Sequence, residues 1–568
     1  KAIRRQRQMC IRDSTYRGKE SELYYQPGKT RNGIEYRNYS TQQTRIGAHA
    51  NLDYDFNRNH KLTWYNGYMD MDEAEVRDGS DDQDRAIRMK WVHQYIYNST
   101  LRGEHLFLND GTLKLNWSAV YSKAYSETPD NAEIFLIGSH VASSGAATRR
   151  WEHNSDKDLA GYIDLSYKWK TGSNSVLDFL AGGMYRDKKR DSFFNEYTFN
   201  SATGSGNPQY IDKDWHNFDE IQFTPRAYGN ISDPLNYDAT EKVGAGYGMV
   251  KYTISQWELI AGVRIEHTDQ GYTLKFPTGN AAPEGNQRYT DILPSFHAKY
   301  AIHSNGNLRF SYARAINRPS FFEIVPYSII NEDYKEKGNP ELKHTVADNI
   351  DLRYEFFPRS SEQLMVGLFY KNIKDPIEYG LLNEGQDTYY KPMNFGTANN
   401  WGLEVDILKY FNWLGIKANY TYTYSKITTE KRVMQGSEVT TTTQSRPLFG
   451  QAAHVANISF LLKDSKHGWE GQLAMGYTGK RLSDISNWAD NDIWEKGYTQ
   501  LDASIEKTLP RGFCLFLKAS NLLNIPVLRY VHQSERTANV DSERDNSNLV
   551  ERKSWHGQSL MIGARFRL

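Results

Sequence analysis

Residues Arg45–Phe56 read RIGAHANLDYDF. Ile46, Ala48, Ala50, Leu52, Tyr54 and Phe56 share one parity; Arg45, Gly47, His49, Asn51, Asp53 and Asp55 share the other. Side chains alternate faces along a strand, so this segment has one apolar side and one strongly polar side. The split recurs with Leu159, Gly161, Ile163, Leu165, Tyr167 and Trp169 against Asp164, Ser166, Lys168 and Lys170. It recurs with Trp257, Leu259, Ala261, Val263 and Ile265 against Glu258, Arg264 and Glu266, and with Ile350, Leu352, Tyr354 and Phe356 against Asp351, Arg353 and Glu355. Roughly nineteen such segments run from Thr44 to Leu568 on the alternation template. Many fit the ~9–11 residues a tilted strand needs to cross a hydrocarbon layer. Tyr or Trp often closes a segment, where aromatic belts at two bilayer interfaces would place it.

The chain has 568 residues, with 69 Lys+Arg against 69 Asp+Glu, so no excess of basic charge marks a nucleic-acid partner. No stretch approaches the ~20 apolar residues of a transmembrane helix. The 39 Tyr, 24 Phe and 13 Trp argue against disorder. A soluble propeller or sandwich is the competing all-β reading, but no blade-length repeat is present. Short turns (Asn57–His60, Asn109–Thr112, Thr171–Ser175, Ser304–Asn307, Pro358–Glu362, Leu509–Gly512) alternate with long polar connections (Glu73–Arg85, Pro129–Lys157, Arg190–Thr240, Pro319–His344, Ile427–Ser445, Val531–Lys553). That asymmetry is the pattern of outer-membrane barrels. The expected fold is all-β, a large antiparallel transmembrane barrel of about 20–22 strands. Lys1–Ser14 (KAIRRQRQMCIRDS) is charge-dense and reads as a foreign, strand-free stretch, leaving 15–568 as the barrel domain. Cys10 and Cys514 make no disulfide framework.

Two stretches carry a family resemblance. Ser311–Phe357 contains Arg318-Pro319 and Gly338-Asn339-Pro340-Glu341-Leu342, and Ala519–Tyr530 reads ASNLLNIPVLRY. Both resemble the barrel of TonB-dependent outer-membrane receptors, in particular the type of Bacteroidetes-like bacteria. Physically, Gly338-Asn339-Pro340 is a turn entering a strand, Arg318-Pro319 ends one, and Asn521 and Asn524 fix a bend. The resemblance implies capture of a scarce solute (siderophore, oligosaccharide, peptide or vitamin) at outer loops and its energy-coupled import. It implies a TonB-type coupling partner acting through an N-terminal region, and a plug that is absent here. It also implies a periplasmic C-terminus, extracellular long loops, and recognition of Leu560–Leu568 by the barrel assembly machinery. Outer-membrane lipid and lipopolysaccharide are expected around the barrel. On a 22-strand count Thr44–Phe56 becomes the fourth strand, Ser14–Gln26 holds part of the third, and two strands are missing. A passive or structural outer-membrane barrel is the alternative.

No Gly-x-Ser-x-Gly, His-Glu-x-x-His or phosphate loop is present, so no enzymatic activity and no cofactor are expected. The acidic run from Asp70 to Asp84 is chemically able to take Ca²⁺ but lacks the EF-hand spacing. Haem receptors of the family place a His between the Arg-x-Pro and Asn-Pro-x-Leu boxes; here His344 follows the second box, so that ligand is missing. Aromatic faces can stack on sugars or siderophore rings, which singles out Phe193, Phe194, Trp215, His216, Tyr327 and Trp488 as ligand residues. The Arg190–Thr240 loop is expected to fold over the barrel mouth.

Overall fold

The computed structural model describes residues 3–24, 34–108, 112–212, 216–226, 235–277, 282–330, 333–384, 387–532, 544–545 and 548–566. Among them, no helix is long and apolar enough to cross a membrane. Among the described residues thirty-two strand segments form, and twenty of them follow one another as antiparallel neighbours. The first seven are β1 (Ile3–Leu23), β2 (Glu35–Asn57), β3 (His60–Ser80), β4 (Asp84–Phe107), β5 (Leu113–Ile137), β6 (Ala147–Gly172) and β7 (Ser175–Ser201). Next come β8 (Tyr237–Ile254), β9 (Trp257–Leu274), β10 (Glu284–His303), β11 (Gly306–Asn317), β12 (Thr345–Phe356) and β13 (Gln363–Lys374). The remainder are β14 (Thr397–Phe411), β15 (Leu414–Gln435), β16 (His454–Asp464), β17 (Trp469–Thr478), β18 (Tyr498–Thr508), β19 (Phe513–Ser520) and β20 (Ser559–Phe566).

Register fixes the two faces. Ile350 of β12 lies opposite Tyr312 and Tyr370, and Leu352 opposite Phe310 and Leu368, so apolar residues meet apolar residues across the strands. Ile350 and Leu352 are 40% and 42% exposed, which puts a wide apolar surface outside. The opposite parity pairs polar groups: Arg309 Nε donates to Glu355 at 2.7 Å, and Arg353 Nη2 to Glu404 at 3.2 Å. These apolar rows form the belt of the molecule. Aromatics edge it: Trp257 meets Tyr300 with ring centroids 4.6 Å apart, Trp401 meets Tyr424 at 5.3 Å, and Phe513 meets Phe566 at 4.8 Å.

Two expectations are corrected. β2–β7 run 21–27 residues, so most of Glu73–Arg85 and Pro129–Lys157 is strand and not loop. Above the belt charged residues enter both faces while backbone pairing continues, which is why these segments read as polar loops. Thr44–Phe56 lies in the second strand of this sheet, after the strand that holds Ser14–Leu23. From Ile3 onward the backbone of the charge-dense start pairs with β2 (Ile3 opposite Tyr54), so it is not strand-free.

The C-terminal strands behave differently above the belt. β17–β20 are interrupted by bends, and short segments resume beyond them: Arg481–Ser486, Ile493–Glu495, Val527–His532 and Asn548–Trp555. These four pair in sequence, and the last pairs with β1 through Glu20–Leu23 against Trp555–Arg552. Asn521 (φ 55°) and Asn524 (φ 45°) make the β19 bend in left-handed conformation, which Asn tolerates. The Asn521 amide donates to Asp502 Oδ1, and its side chain to the Gly557 carbonyl, both at 2.7 Å.

Candidate functional site

The part of the sheet above the belt, here the crown, holds the buried clusters. The connection from Arg318 to His344 packs against its inner side. Arg318 Nε donates to Thr268 Oγ1 at 2.9 Å and its guanidinium pairs with Glu266. The Pro319 carbonyl accepts from Gln270 at 2.8 Å. Ser320 caps the short helix Phe321–Ile324, with Glu323 closing a capping box. Asn339 donates through its amide to the Glu323 carbonyl at 2.7 Å and through its side chain to Pro392 at 2.9 Å. A Cβ on Gly338 would lie 1.7 Å from the Val325 carbonyl oxygen, so only glycine fits there. The Arg-Pro and Gly-Asn-Pro motifs therefore lock this connection into one shape. Phe321, Ile324, Val325, Tyr327 and Leu342 bury themselves with Phe194, Leu235 and Tyr237 in one apolar cluster.

Beside this cluster lies a cavity of about 470 Å³. Arg77, Arg88, Lys90, Glu133, Arg150 and Glu196 line it, with Phe194, Tyr237 and Phe322 as apolar wall. Register places the charged groups on the inward parity: Arg77 is opposite Arg88, Arg88 opposite Glu133, and Arg150 opposite Glu196. Arg88 reaches Glu75 at 2.8 Å, Arg150 reaches Glu196 at 2.7 Å, and Arg77 contacts Glu133. Lys90 has no ion pair among the described residues. The Arg150 guanidinium also sits 5.2 Å from the Phe194 ring centre. The basin presents a half-buried surface of mixed charge beside an apolar wall, with Lys90 as its one cation outside an ion pair among the described residues, a combination suited to a polar solute with a hydrophobic part.

A second cluster lies where the first and last strands meet. Asp333 accepts from Arg37 at 2.8 Å and from Arg552 at 2.5 Å. Arg529 contacts Asp484 and lies 3.2 Å from Glu551. Burial opposes ionisation of Asp333, but Arg552 and Arg37 overcome it and hold its carboxyl below the usual range. Burial pushes Asp484 up to about 6 against the pull of Arg529, with Glu551 adding to the rise.

A sequence profile of the outer membrane protein beta-barrel family matches residues 105–553. The chain belongs to that family. Among solved structures, the siderophore receptor PiuA from Acinetobacter baumannii superposes with a TM-score of 0.57 at 13% identity, covering 97% of this chain and 82% of that one. The ferric-catecholate import receptor Fiu from K12 E. coli gives 0.55 at 12% identity, covering 97% and 82%. The ferric citrate transporter FecA gives 0.55 at 11% identity, covering 96% and 78%. At these identities the likeness is one of fold. No curated protein matches. The family places this barrel protein in the outer membrane.

Of the aromatic residues singled out in the barrel sequence, Phe194 and Tyr327 come together, both buried in the crown cluster. Burial pushes the Tyr327 phenol up, and neighbouring acids add to it. Phe193 faces outward, stacked on His153 at 5.1 Å. His216 is well exposed beside the outward-facing Val76 and Met89. Trp488 is half-buried elsewhere, bridged to Arg432. Trp215 lies outside the described residues. The segment after β7 packs against the outside of the crown, not over its mouth: Ile211, Ile221 and Phe223 cover the outward Ile134, Leu136 and Phe199. Those apolar side chains stand above the belt, where no lipid tails would cover them. The acidic run is split between faces, with Asp70, Asp72 and Asp78 outward and Glu73 and Glu75 inward. Asp78 is held by Arg85 at 2.8 Å, and no metal-holding group of side chains forms among the described residues. His344 stacks on Tyr289 at 3.9 Å and points Nε2 at Asp291, 3.0 Å away. The basin cations Arg88, Lys90 and Arg150 escaped sequence reading; their one signal was inward parity carried past the belt.

Proposed function

We propose that residues 15–568 form the closed barrel domain of a TonB-dependent transporter, joined where Glu20–Leu23 meets Arg552–Trp555. The long connections face outside, the C-terminus faces the periplasm, and the final strand (Leu560–Leu568) engages the assembly machinery. A plug and a TonB-contacting segment belong to the whole protein. The solute is captured in the inward basin around Arg88, Lys90 and Arg150, then admitted when the coupling protein displaces the plug. The observation that carries this reading is the charged basin beside an apolar wall, where Lys90 has no ion pair among the described residues, inside a sheet with the fold of iron-complex receptors. That fold favours an anionic iron complex as solute.

Uptake of radiolabelled iron complexes with citrate and catechol ligands tests it, in cells with and without the TonB-type protein. Uptake that needs the coupling protein supports the proposal; entry indifferent to it indicates a passive barrel. Lys90→Glu reverses a cation with no ion pair among the described residues and should raise the half-saturating concentration about tenfold. An unchanged value would move recognition away from the basin.

A further inference from the structure

We propose that the outer wall of this barrel carries a binding site for the phosphate of an outer-leaflet lipid, built from Lys123, Lys157 and Lys189. Lys123 of β5 lies directly opposite Lys157 of β6, and Lys157 directly opposite Lys189 of β7. All three have the outward parity, in line with the exposed Tyr121, Leu159 and Tyr185 of the belt. Three lysines thus stand in one row across three adjacent strands, one pleat above apolar surface: Leu159, two residues below Lys157, is 60% exposed. Like charges directly opposite in a sheet destabilise it, so this row has a cost unless an anion sits on it.

The protein does not supply that anion. None of the three lysines forms an ion pair among the described residues. The acids sharing this face are engaged elsewhere: Asp191 holds Lys275 at 2.5 Å, and Asp269 holds Arg288 at 3.0 Å. Glu127 takes the hydrogen bond of the Tyr125 phenol. Asp187 sits one pleat lower, opposite Lys242, and forms no ion pair with the row among the described residues. The row therefore keeps three uncompensated charges at the depth where a lipid headgroup begins.

The surroundings fit a phosphate carried on a sugar. Lys123 Nζ lies 5.3 Å from the Tyr95 ring centre, and Tyr95 stacks on Tyr125 at 5.3 Å just above the row. Flat aromatic faces beside a cationic row suit a phosphorylated glycolipid headgroup, with its acyl chains on Tyr121, Leu159 and Tyr185 below. A lipid held here would also brace the tall β5–β7 strands where they leave the membrane.

The test uses the purified full chain in detergent, titrated with bisphosphoryl lipid A, dephosphorylated lipid A, or inorganic phosphate, and read by native mass spectrometry and thermal unfolding. Lys426 is the control, an exposed outward cation opposite Asn399 with no lysine neighbour in its row. The K123Q/K157Q/K189Q variant should bind bisphosphoryl lipid A about a hundredfold more weakly, from roughly one lysine's headgroup attraction at each position. Lys426→Gln should bind as the unaltered protein does. Without lipid, the triple variant should unfold at the same or a higher temperature, since the opposed charges are gone. With lipid it should lose the stabilisation that the unaltered protein gains. Equal lipid binding by the triple variant and the unaltered protein would overturn the proposal. So would equal binding of dephosphorylated lipid, or saturation by inorganic phosphate at the same concentration as lipid.

Discussion

Belt and crown are built from the same strands by opposite rules. In the belt, apolar side chains point outward and stay exposed, as Ile163, Ile292 and Leu368 do, while charges point inward. In the crown, apolar groups bury themselves on both faces, and buried ion pairs tie distant segments together. The belt needs lipid as its partner; the crown makes its own interior. Belt stability should therefore depend on which parity a residue has, and crown stability on whether buried charges keep their partners.

The largest expected effect breaks a crown charge group. Arg529→Met leaves Asp484 and Glu551 buried without their shared cation, and removing one partner of a buried pair costs about 3–5 kcal/mol. Amide exchange over Val527–His532 should accelerate strongly, because local opening of that segment becomes easier. Resistance of the folded band to detergent before heating should not change, since belt pairing does not use Arg529. Loss of both together would show that belt and crown unfold as one unit.

The next effect is confined to the belt. Leu352 faces outward and Arg353 inward on one strand, so the pair isolates parity from depth. Leu352→Arg should cost about 2–4 kcal/mol, as for an arginine at mid-depth on the lipid face of a barrel. Arg353→Leu removes a half-exposed lumenal ion pair and should cost at most about 1 kcal/mol. The fraction of heat-modifiable barrel in each variant measures the difference. Equal fractions would remove the parity assignment for β12 and its neighbours.

This division also explains what the sequence revealed. Belt faces were legible from Ile46–Phe56 or Leu159–Trp169 because period-two alternation is local. The motif turns at Gly338 and Asn521 were legible because left-handed or crowded backbone demands particular residues nearby. The crown was not legible, because its partners are remote: Arg37 and Asp333 are 296 positions apart, and Arg552 and Asp333 are 219 apart. Adjacent aromatics misled for a related reason. Phe193 and Phe194 look like one patch in sequence, yet a strand sends them to opposite faces, so only Phe194 reaches the inner cluster.

The smallest effect sharpens the comparison through pH. Burial raises the Asp484 carboxyl to about 6 in the folded crown, from the ordinary value near 4 when unfolded. A raised acid binds more protons folded than unfolded, so its contribution is greatest at low pH and is lost as pH rises through 6. Asp333 is shifted the other way by Arg552 and Arg37 against its burial; its contribution is lost only as pH falls below the ordinary carboxylate range. Between pH 7 and pH 5 Asp333 is therefore constant, and Asp484 alone of the two should tighten the crown, by about 1 kcal/mol. Exchange of the Val527–His532 amides, corrected for intrinsic rates, should slow by about fivefold on acidification, while belt amides of β12 and β13 stay unchanged. Asp484→Asn, which holds the neutral form at every pH, should abolish the response and leave protection at its acid level. A response that survives in Asp484→Asn would assign the proton to another crown carboxylate, and an equal response in the belt would erase the distinction between the two regions.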